Sequence, residues 1–113
     1  MSDNELLSEI LSAIAEQVYE YLKHKLPEKL LEEMTVNVSL VDLTNYVVEI
    51  SVDASASPLN SGLEEIINSA VEFGFKIADY IMEKFKKGEL NGLQLGEIER
   101  ITEEYARSLR NNA

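Results

Sequence analysis

The chain has 113 residues, no cysteine and a formal net charge of -11, with 45 % hydrophobic and 27 % charged residues. That size allows one domain with one core. The charge gives nucleic-acid phosphate and anionic lipid little to hold, since both are bound through Lys and Arg. Lack of cysteine excludes disulfides, thiolate zinc sites and cysteine catalysis.

The first ten residues, MSDNELLSEI, are acidic where a secretory leader needs positive charge, and no stretch reaches the roughly 18 apolar residues of a membrane helix. The expectation is a soluble cytoplasmic protein. Ser2 and Glu5 are spaced as a capping box. Behind them Leu7, Ile10, Leu11, Ile14, Val18, Tyr21 and Leu22 recur at steps of three and four, the apolar face of a helix. Lys23, His24 and Lys25 sit where positive charge complements the helix dipole, and Pro27 closes the segment. Proline also suits the start of a short second helix, PEKLLEE, so residues 4–33 form the N-terminal helical part.

Residues 34–53 read as a β-hairpin. Met34, Val36, Val38 and Leu40 alternate with Thr35, Asn37 and Ser39; Tyr46, Val48, Ile50 and Val52 alternate with Val47, Glu49, Ser51 and Asp53. Such alternation marks half-buried antiparallel strands, with Val36, Val38, Val48 and Ile50 as core. Asp42 to Asn45 has turn chemistry. A polar loop, ASASPLNSG, leads to a second capping box, Ser61 and Glu64. The helix over 61–87 carries a broad stripe from Leu63 through Ile66, Ile67, Ala70, Phe73, Ile77 and Ile81 to Phe85, and stops at a lysine-rich turn with Gly88. ELNGLQLGE is a loop. A last helix over 94–110 shows a narrow stripe of Ile98, Ile101, Tyr105 and Leu109. The fold class is α+β, in the order α-(α)-β-β-α-α. The hairpin packs on the long helix and the N-terminal helix as a two-layer sandwich.

Chemistry-bearing groups are sparse. His24 is the sole histidine and reads as a solvated helix end. The pairs Glu32–Glu33, Glu64–Glu65 and Glu103–Glu104 point about 100° apart on a helix and do not converge. Glu49 and Asp53 stand roughly 13 Å apart along one strand, too far for a shared site. Gly88, Gly92 and Gly96 follow no strand, so they make no phosphate loop. Asn37-Val38-Ser39 matches a glycosylation sequon only by chance. The five tyrosines read as packing residues. Gly74, between two phenylalanines inside a helix, either permits a close approach or is merely tolerated. No catalytic residue, cofactor or metal is expected.

A two-stranded ribbon is marginal alone, and each open edge shows unpaired backbone groups. The first strand has no Pro or Lys to blunt its edge, and its outward residues Thr35, Asn37 and Ser39 are small. Pairing with a second chain's strand would finish the sheet, and the Ile98, Ile101, Tyr105 and Leu109 stripe is a second candidate contact. A monomer whose last helix covers an edge is the alternative.

The hairpin VNVSLVDLTNYVVEISVD and the helix LEEIINSAVEFGFKIADYIMEKF behind it resemble, over residues 5–87, a family of small archaeal helix–hairpin–helix proteins. That family in turn is similar to the small dimerising subunit of the KEOPS complex, which makes the threonylcarbamoyl modification of tRNA. The resemblance implies a non-catalytic subunit that dimerises through its sheet and docks by helices onto a larger protein, with RNA contact left to the partner. It does not reach the segment from Glu89 onward. The other reading is a stand-alone homodimeric acidic binding module.

Overall fold

The computed structural model describes residues 3–54 and 61–112. Their order is α1 (Asp3–Lys25), α2 (Glu28–Leu31), β1 (Met34–Asp42), β2 (Val47–Ala54), α3 (Ser61–Lys86) and α4 (Leu95–Asn111). The α+β class and this order agree with the sequence reading. Ser2, the Ser61 side chain and the loop over 55–60 lie outside what is described, and with them both capping boxes.

A helix rises 1.5 Å per residue, so α1 and α3 are about 35 and 39 Å long. They set the longest dimension of the molecule, which measures 45 × 29 × 20 Å. Both bury the stripes that their periodicity predicted. Ile10, Ile14, Val18 and Leu22 of α1 meet Ala70, Phe73, Ile77 and Ile81 of α3 in one core. The hairpin lies across the pair, with α1 against β1 and α3 against β2. Pro27 is the residue before α2, not its first: its extended backbone (ψ 153°) leads into the helix, and its carbonyl accepts from Leu31 N–H at 3.2 Å.

β1 and β2 pair antiparallel, with Val36 opposite Val52, Val38 opposite Ile50 and Leu40 opposite Val48. The apolar residues thus share one face. A bulge between Leu40 and Asp42 absorbs Val41. The turn is held by the Asp42 carboxylate, which accepts from Thr44 N–H at 2.8 Å and from Asn45 N–H at 3.1 Å and Asn45 Nδ2 at 2.9 Å. Those bonds, led by that from the Asn45 side chain, hold the Asp42 carboxyl below its ordinary range. Tyr46 departs from the expected alternation. It stands before β2 with φ 56°, a left-handed residue that closes the turn. Its ring still reaches the apolar side, edge-on to Phe85 at 5.2 Å.

The hairpin thus packs on the long and N-terminal helices, as expected, and α4 packs on both α1 and α3 rather than on the hairpin. Glu9 meets Glu99, and Glu16, Gln17 and Glu20 share a pocket with Glu103 and Arg110, so α4 runs alongside α1 in the same direction. Tyr80 stacks on Tyr105 with centroids 3.9 Å apart, while Phe73 and Lys76 lie beside Leu109 and Arg110. α4 therefore runs opposite to α3. The turn before α4 uses two left-handed glycines, Gly88 (φ 76°) and Gly92 (φ 81°), and folds Leu90 into the core.

Candidate functional site

The edge residues lie where alternation placed them. Thr35, Asn37 and Ser39 are exposed on the outward face of β1, opposite Asp53, Ser51 and Glu49. Asn37 Nδ2 donates diagonally to Asp53 Oδ2 at 3.5 Å, a long and exposed contact. The sheet described has two strands, so β1 keeps one edge with no strand beside it among the described residues. Ile50 of β2 is 6 % exposed, whereas Val36, Val38 and Leu40 of β1 and Val48 and Val52 of β2 are half-buried. The helices thus leave the apolar face of both strands only partly covered. Charge separates the strands: β1 has none from Met34 through Val41, while β2 presents Glu49 and Asp53.

The stripe of the last helix is placed differently from the expectation. Ile98 is wholly buried inside the chain. Ile101, Tyr105 and Leu109 are half-buried and pack against the same core. They fasten α4 to α1 and α3, so the stripe does not form an open docking ridge. Nor does α4 cover a sheet edge. A narrow apolar stripe on a charged helix has the same spacing whether it meets its own chain or another, and spacing alone could not separate the two.

Exposed apolar side chains gather instead near the hairpin turn. Val41, Leu43 and Val47 are 56 %, 74 % and 47 % exposed, and Phe75 on α3 is 39 % exposed. Val47, Val48, Phe75, Ala78 and Met82 line a groove of about 440 Å³ between the start of β2 and α3, with Asp79, Glu83 and Lys86 at its polar rim. The sequence held one signal of it: Phe75 falls outside the apolar stripe of α3.

His24 is exposed, as are Glu32, Glu33, Glu64, Glu65, Glu103 and Glu104. Among the described residues, no group of three or more His, Asp or Glu side chains could hold a metal ion. No described helix is long and apolar enough to cross a membrane. Glu9, like Asp42, is altered by its surroundings. Partial burial in the α1–α4 seam raises its pKa, helped by a hydrogen bond with Glu99 and by the charges of Glu99 and Glu16. Helix packing accounts for this pair.

No family model matches the chain, and neither a curated protein nor a solved structure does.

Proposed function

We propose that this chain is a non-catalytic subunit that completes its sheet with a strand of another polypeptide along β1. The observation that supports this reading is the incomplete cover of β1. Its apolar residues Val36, Val38 and Leu40 remain partly exposed beside a stretch, Met34 to Val41, without charge. An added strand would pair the open N–H and C=O groups and shield those side chains. Glu49 and Asp53 disfavour a self-pairing of β2, because like charges would come face to face.

The assembly to which the resemblance points is the archaeal tRNA threonylcarbamoyl modification machinery, in a reducing cytoplasm. A chain of net charge -11 would leave tRNA contact to its partner. A second reading, a stand-alone homodimer, has support of its own. Pairing β1 with a copy of itself about Val38 sets Asn37 opposite Ser39, with no like charges in register.

The test is the double variant Asn37→Lys/Ser39→Lys. On exposed positions it should leave the circular dichroism spectrum unchanged. In a self-paired sheet it sets Lys opposite Lys, so light scattering should show the dimer of the parent protein reduced to single chains. A parent protein that stays a single chain at high concentration, with slow amide exchange along the outer margin of β1, would sink both readings. A pull-down from native lysate separates them: tRNA-modification subunits identify the first, the chain alone the second.

A further inference from the structure

Arg110, in the last turn of α4, stands out among the basic residues. Its Nη1 is buried and meets no acceptor among the described residues. Nor does Arg110 take part in any of the ion pairs there, which join Lys87 to Glu83, Arg100 to Glu104 and Arg107 to Glu103. A buried donor on a charged group is costly without an acceptor. In a chain with twice as many acids as bases, an unpaired guanidinium calls for a reason.

Arg110 closes a cavity of about 230 Å³ whose other walls are Tyr21, His24 and Lys25. Lys25 Nζ lies 5.8 Å from the centroid of the Tyr21 ring, and that ring packs on Phe73 at 4.9 Å. Among the described residues no carboxylate lines this cavity. Tyr21 and Arg110 also line a neighbouring cleft of about 380 Å³ with Ser69, Lys76 and Asn112, where Glu72 is the one acid among the described residues. Acids dominate the other side of Arg110. There Glu16, Glu20 and Glu103 share a separate pocket with Gln17, whose Oε1 is also buried without a partner. Arg110 thus divides a basic cavity from an acidic one.

Helix dipoles explain why basic residues end α1 and α4, and the parallel run of the two helices brings those ends together. They do not explain an Nη1 that reaches no carbonyl oxygen. We propose that the Tyr21, His24, Lys25 and Arg110 cavity binds a small oxyanion, a phosphate or carboxylate group, toward which the Arg110 guanidinium turns its buried Nη1 to act as the principal donor. The planar guanidinium fork matches both groups. Lys25 adds a point charge, and an imidazole carries an N–H donor in either protonation state. The cavity is several times the volume that one water occupies. The competing arrangement is one water bridging Arg110 to Gln17 in the acidic pocket, with no anion.

The experiment is an NMR titration of the full chain with sodium phosphate and, separately, sodium acetate, each against sodium chloride at matched ionic strength. The expected result is a saturable shift of resonances from Tyr21, His24 and Arg110, and the tighter of the two probes names the group. In Arg110→Gln the affinity should fall at least about tenfold, the loss of a charge-assisted hydrogen bond. In Lys87→Gln, which loses a lysine outside the cavity, it should be unchanged. If Arg110→Gln fails to fold, Arg110→Lys keeps the charge, loses the fork and should still bind more weakly. Shifts that chloride reproduces, shifts that persist in the Arg110 variants, or no shift at all would overturn the proposal, the last pointing to the water bridge.

Discussion

Gly74 shows how one residue can carry a close approach. A Cβ built there would lie 2.6 Å from Val18 Cγ2 and 2.9 Å from Ile50 Cδ1. Both neighbours are buried, one on α1 and one on β2. Glycine at this crossing lets the hairpin and α1 sit close against the backbone of α3. The sequence left two readings of Gly74, and the packing selects close approach over tolerance. Two effects then oppose each other in Gly74→Ala. Helix propensity favours alanine by about 1 kcal/mol, while overpacking a tight core costs about 1–3 kcal/mol. Contacts under 3 Å to two branched side chains make overpacking the larger. Gly74→Ala should therefore lower the midpoint of thermal unfolding, measured by circular dichroism. An unchanged or higher midpoint would mean that Val18 and Ile50 can move aside at little cost.

At the scale of elements, α1 and α4 are joined by more than apolar contact. Thr102 hides its hydroxyl by donating to the Ile98 carbonyl at 2.8 Å, so a polar residue fits the buried seam. Where the seam meets solvent, Glu9 faces Glu99 with Glu16 nearby. The raised folded pKa of Glu9 fixes the sign of its pH dependence. In this group the folded state holds its proton more tightly than the unfolded chain. Its contribution to stability is fully present below the ordinary value of 4.5 and is lost as pH rises through the higher folded value. At neutral pH the charged pair opposes the contact. Glu9→Gln should raise the unfolding midpoint at pH 7 and flatten the dependence between pH 4 and 7. The gain should be below about 1 kcal/mol, since Glu99 is exposed and its charge is screened. A lower midpoint at pH 7 would show that the carboxylate of Glu9 is a net stabiliser.

The whole molecule carries its charge unevenly. Ten basic residues face 21 acidic ones, and Lys76, Lys84 and Lys86 gather on the second half of α3 with Lys87 just past its end. The excess repels itself in the compact state. Added salt screens that repulsion within roughly 10 Å at 0.1 M. Raising sodium chloride from about 0.01 M to about 0.5 M should raise the unfolding midpoint. The exposed ion pairs on α3 and α4 weaken with salt but are worth little singly. A fall would mean that specific pairs outweigh the general repulsion. If β1 pairs with a copy of itself, the midpoint should also rise with protein concentration, because association stabilises the folded form by mass action.

Much of this architecture could be read from the residues by themselves. Periodicity of three to four placed the buried faces of α1 and α3, and alternation placed the apolar side of the hairpin. In both cases the side-chain direction follows from local backbone geometry. Asp42 announced the turn for a similar reason, since its bonds to Thr44 and Asn45 span only two and three residues. Distance in the chain marks where that legibility stops. Ile98 belongs to a stripe that sequence shows plainly, yet only the course of α4 decides that α1 and α3 receive it. The same holds for Gly74, whose neighbours are 56 and 24 residues away, and for the cavity where α4 brings Arg110 to Tyr21 and Lys25. A local rule states which way a side chain points. Which surface it meets there depends on how the helices stack, and that is settled by the joint burial of all of them.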